Sequence, residues 1–478
     1  MELSVMSIQS LENIFHPQTI AIIGASSTNW GMGSFLASLI EHKFSGKIYP
    51  VNPRYSDILG MKSYTSIKDI PESFDYAIFA IPASEVLQSL EECAKKGVKN
   101  IHLYTARFSE SGRPDAVDLE HEILKRAKEL DIRLIGPNCM GIYHPQKGIS
   151  WEMDFPKEPG TVGFISQSGA LATELVRISG KLGVRFSKAI SYGNAIDLNE
   201  SDFLEYLAQD SETKMIIMYL EGVKDGRRFF NNLRRIVSSK PVIILKGGRS
   251  KAGARATVSH TASLAGTMQI WNTAIMQTGA ISANNLDELI DLTLSFYFLP
   301  PIKGRNVGVV AGAGGASVLA ADICEEAGLD AISLPQEIRE ELKENGVLVW
   351  DWINNPVDFS IVYGPNFRPN DLLNMMAVNP NFDLLITSLG GHRPGPDQGE
   401  FSIERYLQPY KLIRKTMKPL IALIPDWKPG VDELDDERWN MVSEIAENLI
   451  AAEIPFYPTI DRAVKSAGKL VNYYQNRD

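Results

Sequence analysis

The chain has 478 residues, 44% of them hydrophobic and 22% charged, with 37 Gly and 26 Pro. At roughly 150 residues per domain this length suggests about three domains, and the composition excludes a disordered, collagen-like or disulfide-stapled chain. Forty-eight Lys and Arg against 58 Asp and Glu give a net charge of −10, which argues against duplex nucleic acid or an anionic membrane as the main partner.

The three cysteines, Cys93, Cys139 and Cys324, are widely spaced and form no CxxC pair. Such usage suits a reducing compartment and excludes a thiolate zinc site built from this chain alone. The opening MELSVMSIQSLENIF is too acidic and polar for a signal peptide. No uninterrupted apolar run approaches the ~18–20 residues of a membrane span, so a soluble, cytoplasmic protein is expected. No residue is assigned to a metal.

In chain order, the first element is a buried strand, a small-residue turn and a helix in TIAIIGASSTNWGMGSFLA (Thr19–Ala37). KIYPVNP, YAIFAIP and KNIHLYTA follow as strands, with the helix SEVLQSLEECAKKG between the last two, Ser84 as its N-cap and Gly97 as its stop. HPQKGISWEMDFPKEPG carries three prolines and reads as a connection. The strand–turn–helix unit returns in TVGFISQSGALATELV (Thr161–Val176), followed by strands MIIMYLEGV and KPVIILKGG. LPPIKG marks a second break, and the unit recurs in NVGVVAGAGGASVLAADI (Asn306–Ile323). FDLLITSLGG and KPLIALIPDW are further strands, and DRAVKSAGKLVNYYQ closes the chain as a helix. Continuous apolar runs bounded by small residues build parallel sheets. The expected fold is therefore α/β with largely parallel sheets, in three domains spanning residues 1–145, 155–298 and 305–478.

The first glycine turn does not fit a dinucleotide fingerprint. That motif needs G-x-G-x-x-G and an acidic residue about 20 positions on for the ribose. Here Gly24, Gly31 and Gly33 have other spacings, and the second strand ends in Val51-Asn52-Pro53-Arg54 with no carboxylate. The turn can still present N–H groups to a phosphate, or serve only as a structural turn. Ser166, Ser168 and Gly169, and likewise Gly314, Gly315 and Ala316, precede helices that would aim free N–H groups at an anion. From Ser250 to Gly266, twelve of seventeen residues are Ala, Gly, Ser or Thr, which suggests a mobile, sparsely packed segment around His260.

The stretches IAIIGASS, GKIYPVNP, FAIPAS, LIGPNCMGI, SQSGALATEL, SYGNAIDL, MYLEGV, KGGRSKAGARATVSHTASLAG, GAGGASVLAAD and NPVDF occur in one order. In that order they resemble the α subunit of ADP-forming acyl-CoA synthetases, within the succinyl-CoA synthetase superfamily. The resemblance implies a Rossmann-like CoA-binding domain followed by two flavodoxin-like domains. It makes His260 the phosphohistidine, Glu221 its orienting carboxylate, and the two helix N-termini its phosphate receptors, approaching it from opposite sides. Gly24, Ser26, Ser27, Asn52, Arg54, Pro82 and Thr105 fall where coenzyme A would bind. The implied reaction interconverts acyl-CoA, ADP and phosphate with acid, CoA and ATP through acyl phosphate and phospho-His260. ATP or ADP with Mg2+ would sit on a separate ATP-grasp β subunit, in an α2β2 heterotetramer.

Some positions depart from the family pattern. Arg107 stands where glycine is usual, Ala262 follows His260-Thr261, and GAGGAS replaces the commoner NAGGPG. Trp350, Trp352 and the loop GGHRPGPDQGEF are candidates for an acyl pocket or for packing at a domain edge. A catalytically inactive CoA-binding regulator of the same fold, and a nicotinamide-dependent oxidoreductase, are the competing readings.

Overall fold

The computed structural model describes residues 11–27, 34–261, 267–389, 402–416, 418–425 and 437–477. The apolar runs become strands because each can be buried on both faces under helices, which removes its side chains from water. The first strands in chain order are β1 (Thr19–Ile23), β2 (Lys47–Val51), a small hairpin of β3 (Asp57–Ile58) and β4 (Met61–Lys62), β5 (Tyr76–Phe79), β6 (Asn100–Leu103) and β7 (Arg133–Ile135). Apart from the hairpin they form one parallel sheet in the order β2-β1-β5-β6-β7.

A second sheet holds β8 (Gly141–Tyr143), β9 (Val162–Ser166), β10 (Phe186–Ser191), β11 (Met215–Leu220), β12 (Val242–Lys246) and β13 (Ile281–Ala283). Its order is β13-β12-β11-β9-β10-β8, parallel throughout except for the antiparallel edge strand β8. The sequence does not announce β8, three residues lying just before the proline-rich connection. The third sheet is parallel, β14-β15-β16-β17, from β14 (Val307–Val310), β15 (Leu384–Ser388), β16 (Leu420–Leu423) and β17 (Phe456–Tyr457).

The chain divides into two compact units near Leu286, with the first two sheets in one and the third in the other. Within the first unit the sheets are cross-tied. Arg133 on β7 pairs with Asp197 at 2.9 Å, and the buried Asn194 amide donates to Glu110 at 2.7 Å and Glu120 at 3.2 Å. Phe15 stacks on Tyr206, with ring centroids 4.6 Å apart. In the second unit, the buried carboxylate of Asp291 accepts two hydrogen bonds from Arg462, at 2.7 and 2.8 Å. This places the helix Leu286–Phe298 with the third sheet.

Ser84 is not a helix cap. It lies in the 3-10 turn Ala83–Glu85, and the helix Val86–Lys95 begins after it with Glu85 at the N-cap and no side-chain capping bond. Gly97 has φ +81°, the left-handed conformation expected of a helix stop. Among the described residues no helix is long and apolar enough to cross a membrane. The thiols of Cys93, Cys139 and Cys324 are free and buried.

Candidate functional site

The turn after β1 is built for close approach. Gly24 has φ +90°, and a Cβ there would lie 2.3 Å from the carbonyl oxygen of Ala80, so only glycine fits. The N–H groups of Gly24 and Ala25 both donate to Val51 O, at 2.9 and 3.1 Å. Asn52 closes the turn: its amide donates to Ala25 O at 2.7 Å and its oxygen accepts from Arg54 N at 2.8 Å. Ser27 and Arg54 are exposed beside this turn, and Ser26 is half-buried. Gly31 and Gly33 lie outside the described residues.

The second turn follows β9. The Ser166 hydroxyl donates to Ser168 O at 2.7 Å and accepts from Ser168 N at 3.2 Å, folding the turn onto itself. Ser168 Oγ lies 3.4 Å from Leu171 N at the start of the helix Gly169–Lys181. The N–H groups of Gly169 and Ala170 have no acceptor among the described residues, so this helix end presents free donors and the positive end of its dipole. A Cβ at Gly169 would lie 2.8 Å from Met140 Cγ.

That helix end forms part of the wall of a cavity of about 830 Å³ within the first unit. The other walls come from residues following β5 (including Pro82), β6 (including Thr105 and Arg107) and β7 (including Met140). The C-terminal ends of parallel strands are where open α/β sheets place their ligands. The Thr105 hydroxyl is 2.8 Å from Ile81 O and 3.2 Å from Phe79 O, so it fixes the wall rather than projecting a free donor. Burial pushes the Cys139 thiol up, which leaves it inert as a nucleophile.

Gln167, which the sequence reading passed over, links this turn to Glu221. Its side-chain oxygen accepts from Glu221 N at 2.7 Å and Gly222 N at 3.1 Å, and its own N–H donates to Tyr219 O at 3.1 Å. Its place inside SQSG was the available signal. Glu221 is 3% exposed at the end of β11, and its carboxylate accepts from the Tyr219 hydroxyl at 3.2 Å. Its backbone oxygen accepts from Lys246 Nζ at 2.7 Å. Burial lowers the Lys246 ammonium to about 8, with the Glu221 charge opposing.

The sparsely packed segment is helical from Lys251 to Thr261, with Lys251, Ala252, Arg255 and Ala256 exposed. Alanine is the strongest helix former, and the Ser250 hydroxyl caps the helix by accepting from Gly253 N at 3.0 Å. His260 lies in the last turn of this helix; its side chain, and residues 262–266 with Ala262, lie outside the described part. The helix lies against the turn Ser109–Ser111.

In the second unit the helix Gly314–Glu326 begins differently. The Asp358 carboxylate stands beside its first residue, where a Cβ on Gly314 would lie 3.4 Å from Asp358 Oδ2, and it accepts from Ser360 N at 2.9 Å and Ser360 Oγ at 2.5 Å. Partial burial opposes ionisation, yet these donors hold Asp358 below the usual carboxylate range. Ala316 N turns back to Ala313 O at 2.7 Å, and a Cβ on Gly315 would meet nothing within 4 Å. Asn355 of the same NPVDF motif braces β14, accepting from Val309 N and donating to Val307 O, each at 2.8 Å. The sequence placed this motif in the resemblance but gave Asp358 no role. Trp352 is 77% exposed, and Trp350 is half-buried under Lys343. The loop at 390–401 lies outside the described residues.

A CoA binding domain matches residues 18–145, and a succinyl-CoA ligase like flavodoxin domain matches residues 159–296. The chain is 39% identical over 377 residues to the ADP-forming acetate–CoA ligase II subunit alpha of Pyrococcus furiosus, covering 79% of this chain and 81% of that one. It is 40% identical over 350 residues to the ADP-forming acetate–CoA ligase of Methanocaldococcus jannaschii, but spans only 49% of that protein's length. The dinucleotide-forming acetyl-coenzyme A synthetase 1 of Ca. Korarchaeum cryptofilum, solved in complex with phosphate and ADP, superposes with a TM-score of 0.79 at 29% identity, covering 98% of this chain and 97% of that one.

Proposed function

From the premise that the chain belongs to the ADP-forming acyl-CoA ligase family, we propose that it interconverts acyl-CoA, ADP and phosphate with a carboxylic acid, CoA and ATP. A phosphate oxygen attacks the thioester carbonyl carbon, the C–S bond breaks, and CoA leaves as thiolate from acyl phosphate. An imidazole nitrogen of His260 then attacks phosphorus and the carboxylate departs. Phospho-His260 finally yields its phosphoryl group to the terminal oxygen of ADP.

CoA is assigned to the region ending near residue 145, with its phosphates at the Gly24–Ser27 turn and Arg54, and its thiol end directed past Pro82 and Thr105 into the cavity. Ser166, Ser168 and Gly169 form the receptor for the phosphoryl group there, and Gly314, Gly315 and Ala316 provide the second anion-binding end. Glu221 holds the imidazole in the tautomer that leaves its attacking nitrogen unprotonated. The nucleotide and Mg2+ are assigned to an ATP-grasp partner in an α2β2 assembly, or to the unmatched half of a longer chain like the Methanocaldococcus relative. Among the described residues no group of three or more His, Cys, Asp or Glu could hold a metal. The cytoplasm is the assigned compartment.

The observation that carries this reading is the open N-terminus of the Gly169 helix in the cavity wall, tied through Gln167 to Glu221. Incubation with the partner and γ-labelled ATP should leave acid-labile, base-stable label on the chain. Label that persists in His260→Asn overturns the site, and CoA binding without any label favours the inactive regulator.

A further inference from the structure

Two guanidinium groups line the cavity. That of Arg113 is paired with Asp115, its Nε 3.1 Å from Oδ1. That of Arg107 has no partner among the described residues: the exposed residue makes one hydrogen bond there, from its backbone N–H to Glu110. Arg107 also holds φ +79°, a left-handed conformation that favours glycine and is strained for a long side chain. A strained backbone therefore carries an unpaired cation at the wall of an open cavity.

The neighbours of Arg107 say what could meet that cation. The free N–H groups of the Gly169 helix belong to the same cavity wall. Two residues beyond Arg107, the turn Ser109–Ser111 lies against the helix that carries His260. Arg107 thus shares a cavity wall with the anion-receiving helix end, and its loop runs into the turn that lies against the histidine helix. An acidic oxygen group is the chemistry it fits, and three sources could supply one: inorganic phosphate, a phosphate of CoA, or a carboxylate of the acid.

We propose that Arg107 binds the inorganic phosphate that enters the reaction and remains on it through transfer to His260, an inference that rests on the ligase reading. A guanidinium presents two parallel N–H donors that match two phosphate oxygens and stays protonated throughout. While one phosphate oxygen forms the bond to the thioester carbon and sulfur leaves with the C–S electrons, Arg107 neutralises charge on the non-attacking oxygens. When the P–O bond to the acyl group breaks, its electrons go to the carboxylate and the P–N bond to His260 forms. The guanidinium then holds the same phosphoryl oxygens in flight.

The test uses the full chain and two substitutions, Arg107→Gly and Arg107→Lys. Glycine suits φ +79°, so the first variant should melt no lower than the parent. Titration with inorganic phosphate followed by 31P NMR should show a dissociation constant raised about tenfold or more in Arg107→Gly, with a smaller rise in Arg107→Lys. In turnover with the partner, ADP and acetyl-CoA, KM for phosphate should rise by a similar factor while KM for acetyl-CoA stays within about twofold. An unchanged phosphate affinity overturns the proposal. So does an effect confined to CoA titration, which would make Arg107 a contact of a CoA phosphate, or one confined to KM for the acid. Arg107-dependent phosphate binding without label on His260 would sink the ligase reading and leave the phosphate site standing. Label on His260 with Arg107-independent phosphate binding would do the reverse.

Discussion

The Gly169 and Gly314 helices begin with the same sequence grammar, an apolar strand followed by small residues, and end in different states. At Gly169 the first N–H groups are open to a cavity, and the turn is braced from behind by its own serines and by Gln167. At Gly314 a carboxylate of the protein, Asp358, already stands beside the helix start, delivered by a motif 44 residues downstream (358 − 314). A helix N-terminus attracts negative charge in both, but one opens on a cavity and the other has a carboxylate of the protein beside it. An anion at Gly314 would meet the charge of Asp358 nearby, whereas one at Gly169 would meet donors without an acceptor among the described residues.

The largest expected effect is on the bracing of the first end. Gln167→Leu leaves the buried N–H groups of Glu221 and Gly222 without their acceptor, which should cost about 2–4 kcal/mol in denaturant unfolding. Labelling of His260 should fall at least tenfold in the same variant, because Glu221 loses its anchor. Wild-type stability and labelling would show that the link between turn and strand end is incidental.

Asp358→Asn probes the second end through pH. Because the folded-state pKa of Asp358 is depressed, its contribution to stability is present above the unfolded value of about 3.8 and is lost as pH falls through the folded one. The unfolding midpoints of wild type and Asp358→Asn should therefore differ most above pH 5 and converge in acid. A constant gap across that range would mean that Asp358 acts by shape rather than charge.

The smallest effect separates the two ends by space. Gly315→Ala meets nothing and should gain about 0.5–1 kcal/mol from reduced backbone freedom. Gly169→Ala pushes on Met140 and should lose about 1 kcal/mol, together with affinity for phosphate. Equal shifts for the pair would erase the steric half of the contrast.

Much of the architecture was legible because it is local. Ile20–Ile23, Val162–Ile165 and Val307–Val310 are apolar runs too short for helices, and each closes on small residues, so the three strand–turn–helix openings stand out. What stayed hidden depends on partners far along the chain. Gln167 matters because of residues 54 and 55 positions away, and Asp358 because of a helix start in another segment. The helix Lys251–Thr261 stayed hidden for a different reason: alanine and glycine dilute packing, yet alanine lowers the cost of a helix. Ser84 had the chemistry of a cap but not the position, because a 3-10 turn begins ahead of the helix.

The edge strand β8 has a consequence for how this protein can be cut and rebuilt. Chain that leaves the first sheet at β7 crosses at once into the second, where Gly141–Tyr143 seals the outer side of β10. A fragment ending near residue 145 would carry an orphan strand with nothing to pair with. The complementary fragment would expose a raw β10 edge able to recruit strands from other molecules. A graft or circular permutation that respects the fold must keep residues 141–143 with the downstream sheet, so the seam between the two modules runs before β8 rather than after it.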